Sequence, residues 1–280
     1  MIYRSSILVA ATTAAVLSAM SAAQAFDEGK YPNWKGQWLG IAAGQNSPWD
    51  PAKPSGAGQQ PPLTSEYQAI FEANLKSVAS GGAPPDPTVR CSPAGMPRIM
   101  MAVRPMEIVV TPRETDILLE AFSTTRRIYT DGRKFPSDFE PRFTGYSIGE
   151  WQNTDGDGRF DTFLIETHGI KGPHTYDASG IPFHKDGEVT VKEKLYSDKS
   201  DPNILHNEIT TMDHALTRPW TVARSYRRDP SQREPQWAEF SCSGDPTHVL
   251  IGNDYYALSP DGLLMPVRQG QTAPDLRYFK

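Results

Sequence analysis

Alternation between apolar and polar residues, broken at short intervals by Gly, Pro, Asn and Asp, is the feature that most constrains this chain. It begins at Met106 and runs to the C-terminal region. A period of two places successive side chains on opposite faces of a strand, so each run reads as a strand with one buried face. Met106–Thr111 and Asp116–Tyr129 flank the turn Pro112-Arg113-Glu114. Ser147–Gln152 and Asp161–Glu166 flank an Asp/Gly-rich turn, and Glu188–Tyr196, Leu205–Met212 and Trp220–Arg227 continue the meander. Trp237–Ser241, His248–Ile251 and Tyr255–Leu258 complete it. About ten short strands at close spacing predict an antiparallel barrel or sandwich. A closed barrel of about eight strands has room for one small ligand.

The preceding residues have a different grammar. Residues 26–62, rich in Gly, Pro and Trp, read as an extended arm with at most one strand, Gln37–Ala42. Thr64 or Ser65 then caps one helix, with Glu66 in its first turn and Tyr67, Ile70, Phe71 and Leu75 on one face. Gly81-Gly82 ends it, and residues 83–105 are Pro-rich and irregular. The first 25 residues have the three parts of a secretory signal: Arg4, an apolar stretch from Ile7 to Met20, and small residues at Ala23 and Ala25. The expected organisation is a signal peptide over 1–25, arm, helix and Pro-rich segment over 26–105, and a barrel over 106–280. Export to the periplasm or beyond follows. The apolar stretch is too short and too rich in Ala, Ser and Thr for a stable membrane span. Net charge is −5 with no basic stripe, which argues against a nucleic-acid partner.

In an oxidising compartment the two cysteines, Cys91 and Cys242, are expected to pair. The loop they close spans about 150 residues, for which the chain-entropy relation gives roughly 4–5 kcal/mol. Nucleotide chemistry is unsupported, because there is neither a phosphate loop nor a dinucleotide fingerprint. Gly145-Tyr146-Ser147-Ile148-Gly149 spells a nucleophile elbow in letters, yet it opens a strand with no helix after it. The six histidines, at 168, 174, 184, 206, 214 and 248, show no zinc-binding spacing, so no metal is expected there. Asn153, Asp155, Asp157 and Asp161 fit part of a calcium loop, but Leu164 stands where its bidentate Glu belongs. Asp-Gly pairs also make ordinary hairpin turns, which is the favoured reading.

Alternation also singles out polar groups on apolar faces. Glu193 shares a face with Val189, Val191 and Leu195, and Arg127 is expected to share one with Ile117, Leu119 and Tyr129. A buried carboxylate must be paired or have its pKa raised, so Glu193 facing Arg127 reads as an ion pair or a catalytic group. His206 and Glu208 share a face of the next strand, and His184 lies just before the Glu193 strand.

Several stretches together resemble a family of exported, mostly uncharacterised bacterial proteins. They are Arg127-Ile128-Tyr129-Thr130-Asp131-Gly132-Arg133, Gly145-Tyr146-Ser147-Ile148-Gly149-Glu150-Trp151, Cys91-Ser92-Pro93-Ala94-Gly95-Met96-Pro97-Arg98 and Thr217-Arg218-Pro219-Trp220-Thr221. Gly180-Ile181-Pro182-Phe183-His184, followed by Val191-Lys192-Glu193, fits the same pattern. The resemblance implies a lipocalin-like barrel and a recurring His and Glu at His184 and Glu193. The expected function is a cofactor-independent lyase or isomerase acting on a small aromatic compound. His184 and Glu193 would exchange the proton, Arg127 or Arg133 would hold the developing anion, and Tyr129, Tyr146 and Trp151 would stack on the substrate. His206 and Glu208 join this substrate-binding set. The alternative is a non-catalytic carrier of a small hydrophobic ligand.

Overall fold

The computed structural model describes residues 26–41, 61–82, 85–101, 104–172, 175–176, 179–229, 237, 248–252 and 254–272. The expected signal peptide, the strand over 238–241 and Cys242 lie outside the described residues.

Helix α1 (Ser65–Ala79) starts where Thr64 accepts the Tyr67 amide on its side chain, and it ends at Ser80 before Gly81, which has φ +86°. Tyr67 and Phe71 form its buried face, and Leu75 packs beside it. Ile70, expected on that face, is exposed. Among the described residues no helix is long and apolar enough to cross a membrane.

Nine strands close into a barrel: β1 (Gln37–Gly40), β2 (Met106–Val110), β3 (Glu114–Leu119), β4 (Thr124–Tyr129), β5 (Tyr146–Gln152), β6 (Thr162–His168), β7 (Thr190–Ser197), β8 (Ile204–Met212) and β9 (Trp220–Arg228). The fold is mainly β, as alternation requires, and the lipocalin-like barrel is present with one flanking α-helix among the described residues. Two features depart from the expected meander. The arm supplies a barrel strand, since β1 pairs with both β2 and β9 and closes the ring. The β4–β5 pair is parallel, Ile128 opposite Ser147. The long connection through residues 130–145 makes the crossover that a parallel pair needs. The last strands, β10 (His248–Ile251), β11 (Asp254–Leu258) and β12 (Leu264–Pro266), form a separate three-stranded sheet instead of extending the barrel.

Asp116–Tyr129, expected as one strand, is two. Residues Ala121–Ser123 make a 3-10 turn, Ser123 takes a left-handed φ of 44°, and the chain reverses. That turn resets the phase, so Arg126 and Ile128 point inward on β4 and Arg127 points out. In β7 nothing interrupts the alternation, and Val191, Glu193 and Leu195 are buried as expected. The core is apolar at Trp34, Trp38, Ile117, Ile128, Phe163, Leu195 and Ile209.

Candidate functional site

The barrel interior contains a polar centre. Arg126 donates to both carboxylate oxygens of Glu193, at 3.1 Å from Nη1 to Oε1 and through a close contact from Nη2 to Oε2. Both side chains are 0% exposed. Asn207 Nδ2 donates to Oε1 at 2.9 Å, and Arg126 Nη2 also donates to Thr167 Oγ1 at 3.0 Å. Thr167 in turn shares a hydrogen bond with Ser147 at 2.8 Å. Register explains the gathering: Glu193 lies opposite Ile165 on one side and Ile209 on the other, which places Asn207 two residues along the same inward face. Two charges taken out of water are tolerated only when the remaining lone pairs and protons are also satisfied, and this set nearly achieves that. The Glu193 side chain is thus enclosed by donors and has no exposed surface.

The partner of Glu193 is Arg126 and not Arg127. Arg127 is more than half exposed and faces Glu114 at 3.3 Å and Asp116 at 3.5 Å, which hold its charge more firmly than usual. Nearby in the interior, the Tyr226 hydroxyl donates to the Met100 carbonyl at 2.7 Å. Burial pushes its pKa up to about 12.

His184 sits elsewhere, in the loop before β7. Its amide donates to both oxygens of Asp213, at 3.2 and 3.1 Å, and its Nδ1 lies 2.7 Å from Asp186 Oδ2. His214, in the turn after β8, places its own Nδ1 2.6 Å from the same oxygen. The two imidazole rings meet edge to face at 5.6 Å. The hydrogen bond to His214 holds the Asp186 carboxyl well below its ordinary value, and Asp186 raises His214 in return. None of these contacts includes Glu193, so the expected His184–Glu193 proton relay is not assembled.

The remaining expected binding residues lie mainly outside the barrel. Tyr129 and Tyr146 pack tilted with centroids 5.1 Å apart, and the Arg133 guanidinium covers Tyr129 at 3.8 Å. Arg133 is held by Asp131, whose carboxyl it keeps far below the usual range. Phe135 and Phe139 complete this outer aromatic cluster. His206 bonds Ser225 and Asp198, and Glu208 accepts from the Tyr196 hydroxyl, all on the outward face of β7, β8 and β9. Trp151 points in and stacks on Phe163 at 4.3 Å, with Tyr31 and Trp34 against its other edges.

Sequence patterning missed a cleft of about 540 Å³ between the arm and β2, lined by Tyr31, Trp34, Lys35, Glu107, Ile108, Val110 and Arg159. It opens because β1 meets β2 at only two positions, Gln37 with Glu107 and Trp38 with Met106. Ile108–Val110 therefore run past the end of β1, and the arm diverges from the wall. No period in the sequence marks where two strands stop pairing.

The Asn153–Asp161 segment is a turn. Asp161 accepts the amides of Thr154 and Asp155, Asn153 that of Gly156, and Asp157 that of Arg159. Gly156 and Gly158 take the positive φ that such a turn demands. Asp155, Asp157 and Asp161 thus serve the loop's own backbone. Among the described residues the only group arranged to hold a metal is His184, Asp186 and His214. Cys91 follows the 3-10 turn Pro87–Arg90, and its expected partner Cys242 lies outside the described residues. Comparison with known proteins finds no matching family model and no matching curated protein.

Proposed function

We propose that this is an exported, non-catalytic binding protein for a small aromatic compound, related to the exported bacterial proteins its motifs resemble, with Cys91 and Cys242 joined. The cleft between arm and barrel carries this reading. Its volume of about 540 Å³ falls within the range of small-molecule sites. Its lining fits the same class: apolar surface from Tyr31, Trp34, Ile108 and Val110, with a few charged groups, Lys35, Glu107 and Arg159, able to fix a ligand's orientation. The acid–base alternative needs a base, an acid and an anion stabiliser within reach of one point. Glu193 is enclosed by Arg126 and Asn207, while Arg127 faces solvent, which favours the binder.

The test is a fluorescence titration with 8-anilino-1-naphthalenesulfonate, an aromatic anion, on the wild type and on Val109→Trp. Val109 lines the cleft and is exposed, so the larger ring fills the site without disturbing the core. Saturable binding that weakens at least tenfold in the variant supports the reading; equal binding in both contradicts it. Incubation with aromatic metabolites, followed by mass spectrometry, separates the two classes. Compounds recovered unchanged fit the binder, and a transformed one moves the function to an enzyme.

A further inference from the structure

The loops at one end of the barrel bring together three side chains that the cleft does not use. His184 and Asp186 come from the segment before β7, and His214 from the turn after β8. They meet because β7 and β8 are paired neighbours, Thr190 opposite Met212, so the start of one strand lies beside the end of the other. One ligand atom from each residue lies within 4.8 Å of the other two. We propose that His184, Asp186 and His214 form a binding site for a divalent transition-metal ion, with zinc the best match.

The donor chemistry selects the ion. Two imidazoles and one carboxylate suit zinc and its neighbours, whereas calcium and magnesium take mostly oxygen. Three protein ligands leave a fourth position for water or a small anion. A cleft of about 310 Å³ adjoins it, lined by Glu188, Thr190, His214, Thr217 and Arg218.

The surroundings fix the loops and hold His184 and Asp186 in place. Asp213 is buried and binds both loops: it accepts the amides of His184 and Ala215, and the Tyr176 hydroxyl at 3.0 Å. Tyr67 accepts the Lys185 amide at 3.0 Å and lays its ring 5.1 Å from that of His184. Asp186 Oδ1 accepts the Glu188 amide at 2.9 Å, which leaves Oδ2 for both imidazoles. Such outer contacts are what orient metal ligands. An isolated surface ion pair needs one imidazole; here two, from separate loops, converge on a single oxygen. Metal bonds of about 2.0 Å in tetrahedral geometry set neighbouring donors roughly 3.3 Å apart, so the Nδ1–Oδ2 contacts of 2.7 and 2.6 Å open by roughly 0.6–0.7 Å when the ion replaces the protons. His214 is exposed and can make that movement.

Titration of the full chain with Co²⁺ tests the site, because four-coordinate cobalt absorbs intensely in the visible. The expected result is one ion per chain, displaced by an equivalent of Zn²⁺. His214→Gln and Asp186→Asn are expected to weaken binding at least about tenfold while the β-sheet circular dichroism is unchanged. Absence of the visible band, or wild-type affinity in either variant, would overturn the proposal. Neither outcome bears on the arm–barrel cleft, which shares none of these ligands.

Discussion

Two carboxylates in this protein each gather two nitrogen-bearing side chains, and their settings give them opposite characters. Glu193 lies inside the barrel, enclosed by Arg126 and Asn207, with no exposure for either ion-paired side chain. Asp186 lies at the rim, where His184 and His214 converge on one oxygen and solvent reaches all three. The inner pair has been desolvated, and only its nearly complete set of partners makes that tolerable. The rim group has kept its water, so its partners can exchange and a ligand can enter. Alternation marks Glu193 as unusual, whereas Asp186 stands outside any strand; enclosure decides which of them supports the fold and which is open to solvent.

The largest effect expected from this contrast is at Glu193. Glu193→Leu leaves the Arg126 guanidinium buried without a counter-charge, and urea denaturation should show a loss of about 3–5 kcal/mol. Adding Arg126→Met to the same chain should recover most of that loss, because the unpaired charge is removed. Arg127→Ala, one residue away but outside the barrel, should cost no more than about 1 kcal/mol. Equal losses for Glu193→Leu and Arg127→Ala would break the distinction between the two faces.

A smaller effect is expected at Gly149, on the inward face of β5. A Cβ there would meet the Phe163 ring at 2.5 Å and Ile128 Cγ2 at 2.7 Å, against a ring that Trp151 already covers. Gly149→Ala should cost about 1–3 kcal/mol by overpacking. A fully retained denaturation midpoint would show that the interior has slack.

The smallest effect concerns the rim. Asp186 raises the pKa of His214, and His214 depresses that of Asp186. A depressed carboxyl contributes stability above its unfolded pKa of about 4, lost as pH falls through the folded value. A raised imidazole contributes below its unfolded pKa of about 6.5, lost as pH rises through the folded value. The pair is therefore strongest between about pH 4 and 6.5. NMR titration should find His214 displaced back toward the ordinary histidine value in Asp186→Asn, with little change in stability at neutral pH. An unmoved titration would remove Asp186 as the cause.

How much of this was legible in the sequence depended on whether a local period survived to the site. Glu193 was legible because β7 alternates without interruption from Thr190 to Ser197. Arg126 was not, because the turn at Ala121–Ser123 resets the phase and makes Arg127 look inward from the sequence. The barrel was legible from its strand rhythm. The strand β1 was legible as Gln37–Ala42, but its place closing the barrel was not, and the parallel β4–β5 pair depends on a crossover that has no period. The rim ligands stand 28 residues apart across a hairpin, so only strand pairing brings Asp186 to His214.

The central claim is that the barrel interior is a closed scaffold and that ligands bind at its margins. A crystal structure of the protein with bound 8-anilino-1-naphthalenesulfonate tests it most directly. The expected result is density between the arm and β2, against Tyr31 and Val110, with Arg126 and Glu193 still paired. Density inside the barrel, with Arg126 displaced from Glu193, would contradict it and restore the interior as the functional site.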